Sequence, residues 1–236
     1  WVYSQDGQDG LLEFIFQNVG TTNKFCVEFG FNCRELTGGS GANTARLILQ
    51  DGWRGLLLDS QHENASINLH RETLSFDNLP RIFARHEVPL APDYVSIDVD
   101  SIDYWLLKSM LTAGYRPRAV SVEYNANFPI ELYVVTQQGT VWEHDAVYGA
   151  SLRALAILAE SFDYHLIGVI STLDAFFIRG DLVDKAQLMP LESYAEFAGI
   201  RVHRKPTPER LERFVEGPAH QPMSEAFKQR LWPLFM

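Results

Sequence analysis

Short apolar runs alternate with amphipathic stretches along the chain between about residue 11 and residue 179. The apolar run at 25–29 is typical of a strand that is covered on both faces. Further strands are predicted at 55–60, 67–73, 94–100, 118–125, 164–170 and 173–179. Apolar residues at helical spacing predict helices at 11–18, 43–50, 77–85, 102–113 and 148–161. Strands that alternate with helices in this way indicate a doubly wound α/β sheet with helices on both faces.

The last two predicted strands differ from the others in their connection. Only Ser171 and Thr172 separate them, which is short enough for a hairpin turn. One strand near 173–179 should therefore run antiparallel to its neighbours. Residues 126–146 show no clear periodicity and are predicted to form a long loop over the carboxyl ends of the strands. Long loops in that position usually carry function.

The length of 236 residues suits one domain, or one domain with an appendage. A hydrophobic fraction of 46% is normal for a globular protein with a core. From Gly180 onward, prolines interrupt the helical fragments and the pattern of the main sheet is lost. We therefore expect a main domain at 1–182 and a helical C-terminal extension at 183–236 that packs on it.

The charge of the chain narrows the choice of partners. A net charge of −10 and an isoelectric point of about 5.1 argue against a nucleic-acid partner and against a polybasic membrane surface. No apolar run approaches the roughly 20 residues that a bilayer crossing needs. Cys26 and Cys33 make neither a disulfide framework nor a zinc site, which favours a reducing compartment. A cytoplasmic protein is expected, and its oligomeric state is left open, a homo-oligomer included.

Acidic or amide residues end four of the predicted strands. The carboxyl ends of parallel strands meet at one edge of a doubly wound sheet, and such sheets bind their ligands there. The residues concerned are Glu28, Asp59, Asp98 with Asp100, and Glu123 with Asn125. The alternative is structural, because Asp and Asn also favour caps and turns.

The first strand runs into a turn that can admit a ligand. Gly30 follows Glu28 and lets the backbone turn sharply. A glycine cluster at 38–41 then precedes Asn43 and Thr44, either of which suits the cap of the next helix. Strand, glycine loop and helix form the opening unit of a nucleotide-binding α/β fold.

The second strand ends on Asp59. An acidic residue at the end of the second strand of the first βαβ unit usually binds the ribose hydroxyls of a nucleotide. The alternative is that Asp59 or Ser60 simply caps the next helix. The two roles are compatible, so both residues stay candidates.

A set of short motifs is spread over residues 4–182: Ser4-Gln5 with Asp9-Gly10, Val27–Gly30, Asn43-Thr44, Gly52–Leu56, Ser96–Asp100, Val122–Asn125, Tyr148–Leu152 and Phe176–Arg179. Taken together, these motifs resemble the class I S-adenosylmethionine-dependent methyltransferases, and more closely their FkbM-like branch. The resemblance implies a Rossmann-like, seven-stranded, mostly parallel sheet and an S-adenosylmethionine cofactor. It also implies a small-molecule acceptor, often a hydroxyl of a sugar or natural product. The glycine cluster at 38–41 comes later than in the family.

The resemblance also assigns roles to the strand ends. The cofactor-binding residues that it implies are Glu28, Gly30, Asn43, Asp59, Ser60 and Asp98. Among them, Glu28 and Gly30 would line the methionine part of the cofactor and Asp59 would bind the ribose hydroxyls. Asp98 would lie beside the transferring methyl group and is also a candidate catalytic residue.

Oxygen ligands at two adjacent strand ends suit a metal ion, because hard divalent cations prefer oxygen. Asp98, Glu123 and Asn125 are similar to the two carboxylates and the amide that hold magnesium in catechol-type methyltransferases. Mg²⁺ or another divalent cation there would lower the pKa of an attacking hydroxyl. The alternatives are a polar cradle without a metal, or helix caps. His144, beside Asp145 in the long loop, is the candidate general base.

These observations favour an O-methyltransferase in which catalysis comes mostly from positioning. One alternative is a non-catalytic binding domain that keeps the fold. A nicotinamide-dependent oxidoreductase is less favoured, because no compact G-x-G-x-x-G follows the first strand.

Overall fold

The computed structural model describes residues 4, 7–37 and 42–235. The predicted glycine cluster at 38–41 and Gln5 of the first motif lie outside the described residues. Helices α1 to α7 span Gln8–Val19, Ala45–Leu49, Leu79–Arg85, Asp103–Thr112, Leu152–Glu160, Pro208–Leu211 and Glu225–Leu231. Strands β1 to β10 span Phe25–Phe29, Arg54–Asp59, Leu69–Arg71, Tyr94–Ile97, Ala119–Glu123, Val134–Thr136, Tyr164–Ile170, Asp174–Arg179, Phe214–Glu216 and Gln221–Pro222.

The main sheet has seven strands in the order β3-β2-β1-β4-β5-β8-β7. Strands β1 to β5 pair in parallel, with Val27 of β1 opposite Leu56 of β2 and Val95 of β4. Strand β8 is antiparallel to both β5 and β7, which confirms the reversed strand predicted near 173–179. The seven-stranded, mostly parallel sheet is therefore the predicted one.

Helices cover both faces of this sheet, as predicted. Side chains alternate between the two faces of β1, so Val27 and Cys26 belong to different clusters. Val27 packs in the cluster that contains Phe83 of α3 and Leu106 of α4. Cys26 packs in the cluster that contains Leu12 of α1, on the opposite face. Among the described helices, none combines the length and the apolar character that a membrane crossing requires.

Several strands end earlier than predicted at their carboxyl ends. The strand predicted at 94–100 stops at Ile97, so Asp98 and Asp100 lie in the turn that follows β4. Asp100 has a positive φ of 61°, which extended β-structure does not allow. The third strand is likewise reduced to Leu69–Arg71, because a short 3-10 turn at Ala65–Ile67 precedes it.

A second, three-stranded sheet in the order β10-β9-β6 joins the middle of the chain to its C-terminal part. Strand β6 lies inside the segment 126–146, which the sequence pattern treats as a loop, and Val135 pairs with Val215 of β9. Phe128, Phe214 and Phe235 share the small apolar core beneath this sheet. The C-terminal extension is helical in α6 and α7, and it also contributes strands that were not predicted.

Candidate functional site

A cavity of about 560 Å³ lies at the edge of the sheet where the parallel strands end. Its lining includes Gly30 after β1, Asp59 and Ser60 at the end of β2, Asp98 after β4 and Glu123 at the end of β5. These are the strand ends that the alternation of strands and helices predicts to meet. Leu173, which precedes the reversed strand β8, also lines the cavity.

Gly30 brings two strand ends into direct contact. It has a φ of 72°, and its amide donates to the carbonyl of Leu58 at 2.9 Å. A Cβ on this residue would collide with the main-chain carbonyl oxygen of Asp98. The turn after β1 and the turn after β4 therefore touch through their backbones, which only glycine permits.

Asp59 organises the turn after β2 and faces the cavity. Its Oδ1 accepts the amides of Gln61 and His62, each at 2.7 Å, and its Oδ2 accepts the amide of Asn32 at 3.0 Å. Burial alone would raise the pKa of Asp59, but these hydrogen bonds outweigh it and hold the pKa below its usual range. Asp59 stays ionised and does not cap a helix, because a turn follows it rather than a helix.

Glu28 and Asn43 have structural contacts instead of the predicted place on the cavity wall. Glu28 is 1% exposed, and its carboxylate accepts the amides of Asn43 at 2.8 Å and Thr44 at 2.9 Å. The Thr44 hydroxyl donates to the same carboxylate at 2.5 Å, so it does not cap α2 as expected. Among the described residues, the cavity lining includes neither Glu28 nor Asn43. Glu28 fastens the start of α2 to β1.

Three carboxylates converge on the cavity. One carboxylate oxygen from each of Asp98, Asp100 and Glu123 lies within 4.8 Å of the other two. Glu123 is 8% exposed, and its Oε2 is buried without a hydrogen-bond partner in the part of the chain that the structure describes. A buried carboxylate oxygen with no donor, next to two further carboxylates, fits a hard divalent cation.

Two of these carboxylates, Asp98 and Glu123, and the neighbouring Asp103 have raised pKa values. Burial, with a further contribution from Asp100, raises the pKa of Asp98 to about 7. Burial, together with Asp98, raises the pKa of Asp103 to about 8. The pKa of Glu123 is raised well above its usual range by burial and then by Asp98. The group cannot be fully ionised near neutral pH without a compensating positive charge.

Asn125 does not join the carboxylates as predicted. Its Oδ1 accepts both the main-chain and the side-chain N–H of Asn127, at 3.1 and 2.8 Å. Its Nδ2 donates to the carbonyls of Ala146 at 3.0 Å and Tyr148 at 2.8 Å. Both lone pairs of the amide oxygen are occupied, so Asn125 braces the surrounding loops, and Asp100 completes the carboxylate group instead.

Two histidines lie near Asp100, and the sequence pointed to only one of them. His144, the predicted base, is exposed and has a positive φ of 58°. His203, from the C-terminal segment, lines the cavity, whereas His144 is not among the described residues that do so. Both imidazoles affect the pKa of Asp100: burial raises it, and His203 and then His144 lower it.

The C-terminal segment is therefore part of the cavity wall. Arg204 donates to the carbonyl of His144 at 3.1 Å and to that of Glu143 at 2.6 Å. Arg204 and Asp145 also form a parallel β-bridge between the two segments. Through these contacts, residues beyond 182 support the loop that carries Val141, another residue of the lining.

The comparisons with known proteins give distant likenesses. No family model matches the chain, and no curated protein matches it. Two solved structures of the MycE methyltransferase from the mycinamycin biosynthetic pathway are similar, one with Mg and SAH and one with Mg, SAH and mycinamycin VI. Their identities are 17% and 16%, and each has a TM-score of 0.43 over 77% of this chain and 51% of that chain. TnmH is similar over 65% of this chain and 49% of that chain, with 17% identity and a TM-score of 0.36.

This chain spans about half the length of those structures. The likeness is too weak to indicate a function, and the fold is established by the sheet itself. It has the seven strands, mostly parallel with one reversed strand near 173–179, that were predicted from the sequence. The chain has a Rossmann-like, doubly wound α/β fold.

Sequence reasoning missed two residues of this site. Asp103 accepts the amides of Val99 at 2.8 Å and Ser101 at 3.0 Å and so shapes the turn that carries Asp98. The spacing Asp-x-Asp-x-x-Asp from Asp98 to Asp103 was a signal for it. His203 had no such signal, because nothing local marks a residue that reaches the site from a distant segment.

Proposed function

We propose that this protein is an S-adenosylmethionine-dependent O-methyltransferase of the FkbM-like branch, which acts on a hydroxyl of a sugar or other small natural-product-like acceptor with the help of a divalent cation. The observation that supports the proposal most is that Gly30 and Asp59 share one cavity with the carboxylates of Asp98 and Glu123. A nucleoside-binding half and a cation-binding half in one cavity suit methyl transfer to an oxygen.

The cofactor half of the cavity is built by Gly30 and Asp59. S-adenosylmethionine, when bound, supplies an electrophilic methyl group on a positively charged sulfur. Among the described residues, only Asn32 donates to Oδ2 of Asp59, so this oxygen keeps a lone pair for a ribose hydroxyl. Gly30 presents bare backbone to the cavity, which lets a ligand approach the main chain closely.

The cation half of the cavity is built by Asp98, Asp100 and Glu123. Mg²⁺ held by these carboxylates would lower the pKa of an acceptor hydroxyl and relieve the repulsion among the three acids. In a metal-free version, the same side chains form a polar cradle for the acceptor and the positive sulfur. In both versions the side chains orient the acceptor, which is the larger part of the rate gain in a displacement reaction.

Calorimetric titration of the full chain with S-adenosylmethionine, S-adenosylhomocysteine and NAD tests the cofactor assignment. We expect binding of the first two only, and Asp59→Ala should weaken it by about 1–3 kcal/mol, the usual effect of removing a partner of a buried hydrogen-bonding group. Asp51→Ala is the matched control, because Asp51 is exposed and precedes β2, at the end of the strand away from Asp59. Unchanged binding in a folded Asp59→Ala protein would contradict the assignment.

Titration with MgCl₂ tests the cation assignment. Wild type and Asp51→Ala should bind Mg²⁺, and Asp98→Asn should not. Methyl transfer that continues at full rate in excess chelator would exclude the role of the cation and favour the metal-free version of the site. Tight cofactor binding with no transfer to any hydroxyl compound would instead favour the non-catalytic binding domain.

A further inference from the structure

The imidazole of His203 reaches the cavity from the C-terminal segment of the chain. It lines the same cavity as Asp98 and Glu123. Its ring is packed edge-on against Trp142 and Tyr148, with centroid distances of 5.2 and 5.0 Å and interplanar angles of 70° and 87°. Within the described ranges, neither ring nitrogen of His203 has a hydrogen-bond partner in the protein. Both are therefore available to a ligand.

The backbone around His203 is fixed on both sides. The amide of Val202 donates to Oδ1 of Asn127 at 3.2 Å, and Asn127 is itself held by Asn125. On the other side, Arg204 is tied to the loop that carries His144. A group held in this way needs little reorganisation to meet a reacting atom. The amide network of Asn125 thus has a use at the site, which is to place His203.

The two histidines near Asp100 are not equivalent. His144 is exposed, and its main-chain carbonyl serves as an attachment point for Arg204. His203 is half-buried and faces the cavity. A general base must reach the proton that it removes, so geometry favours His203.

Burial favours the neutral form of the His203 imidazole near pH 7. Burial lowers its pKa below the ordinary value, Asp100 and Asp145 oppose that shift, and His144 adds to it. A neutral imidazole is the form that accepts a proton.

We propose that His203 is a catalytic residue that removes the proton from the acceptor hydroxyl during methyl transfer, an inference that rests on the function proposed above. The acceptor oxygen gains the methyl group, and the bond between methyl and sulfur breaks with its electron pair left on sulfur as a neutral thioether. The hydroxyl proton passes to a free ring nitrogen of His203, which becomes an imidazolium and later returns the proton to solvent. The C-terminal segment thereby supplies part of the chemistry.

Histidine ring signals in the NMR spectrum of the full chain test the placement without an acceptor. His203→Gln identifies the signals of His203. His165 serves as the distant reference, because it is the second residue of β7 and lies at the end of the sheet where the parallel strands begin. One equivalent of Mn²⁺ should broaden the His203 signals and leave those of His165 sharp, and S-adenosylhomocysteine should shift the His203 signals. If both probes bind by calorimetry and the His203 signals do not change, the inference is wrong. If neither probe binds, the proposed function fails and the inference fails with it.

The rate of methyl transfer to two vicinal-diol probes, methyl α-L-rhamnopyranoside and 3,4-dihydroxybenzoate, tests the chemistry. His203→Gln should lower kcat by about 100-fold or more, the usual contribution of a positioned base, with the KM for S-adenosylmethionine unchanged. With Mg²⁺ saturating at each pH, so that protonation of Asp98 does not limit cation binding, wild-type kcat should fall as the pH drops below the lowered pKa of His203, and this fall should be missing in His203→Gln. His165→Gln should behave as wild type. A His203→Gln protein with kcat within about threefold of wild type would overturn the proposal. If neither probe is methylated, the NMR signals of the His203 ring decide whether the inference holds.

Discussion

Arg210 holds the carboxylate of Asp145 at two points, with Nε 2.9 Å from Oδ2 and Nη2 3.1 Å from Oδ1. The two side chains are only 13% and 4% exposed. Burial would raise the pKa of Asp145, but the hydrogen bond from Arg210 outweighs it and keeps the pKa below its usual range. Arg210 also donates to the carbonyl of Val141 at 3.1 Å, so one side chain of α6 fastens the loop of the cavity wall at several points.

Arg210→Ala should therefore destabilise the protein strongly. Removing one partner of a buried ion pair leaves the other charge uncompensated, which typically lowers the free energy of unfolding by about 3–5 kcal/mol. Urea denaturation measures the loss. Arg213→Ala is the control, because Arg213 is exposed and its side chain has no partner among the described residues, and it should stay within about 0.5 kcal/mol of wild type. Equal losses in the two variants would show that the pair does not hold the wall.

Gly30→Ala should lower the free energy of unfolding by more than the left-handed backbone of this residue alone explains. Any residue other than glycine in that region costs about 1–3 kcal/mol. Gly139→Ala isolates this part, because Gly139 has a similar φ of 76° and open space where its Cβ would lie. Gly30→Ala adds the collision with Asp98, so its free energy of unfolding should fall further than that of Gly139→Ala. The same loss at both positions in chemical denaturation would rule out the close approach of the two turns.

Thr44→Val should destabilise the protein more at high pH than at low pH. Burial raises the pKa of Glu28 to about 7, against the hydrogen bonds of Thr44 and Asn43, which lower it. Because the folded-state pKa lies above the unfolded one, the free energy of unfolding falls as the pH rises from about 4.5 through about 7. The Thr44 hydroxyl stabilises the ionised form, so its loss should cost about 1–3 kcal/mol at pH 8 and less at pH 5.5. Denaturation curves at the two pH values measure this, and a loss that does not depend on pH would contradict it.

MgCl₂ should raise the midpoint of thermal unfolding more at pH 8 than at pH 6. The pKa of Asp98 is raised to about 7 and that of Glu123 lies well above its usual range, so at the lower pH the cation must displace protons before it binds. Glu123→Gln removes one of the repelling acids and should stabilise the ligand-free chain at pH 8 while reducing the effect of MgCl₂. A thermal shift that is the same at both pH values would indicate that the cation binds elsewhere.

Much of the fold was readable from the sequence, because the period of the apolar residues separates strands from helices. The strand ends also gave Asp59, Asp98 and Glu123, since parallel strands bring their carboxyl ends to one edge. What the sequence could not show is whether a polar side chain is already engaged by its own chain. Glu28 and Asn125 have suitable chemistry for a ligand site, but backbone and amide groups occupy them.

The contribution of the C-terminal part to the second sheet and to the cavity wall could not be predicted, for a different reason. Strand β6 has only three residues, Val134–Thr136, and finds its partner strand β9 far along the chain. Three residues are too few to show a hydrophobic periodicity. The pairing of β6 is decided by contacts between segments that are distant in the sequence. His203 was missed for the same kind of reason, because the contacts of Val202 with Asn127 and of Arg204 with His144 join segments that are far apart in the sequence.

The reversed strand β8 completes the main sheet at Arg179, before the chain reaches His203. A ribosome therefore releases all seven strands of the sheet while the cavity still lacks one side. During that interval the nascent chain carries Gly30, Asp59 and the carboxylates of the cavity but not the part of the wall that His203 provides. The order of synthesis therefore places the completion of this cavity after that of the main sheet.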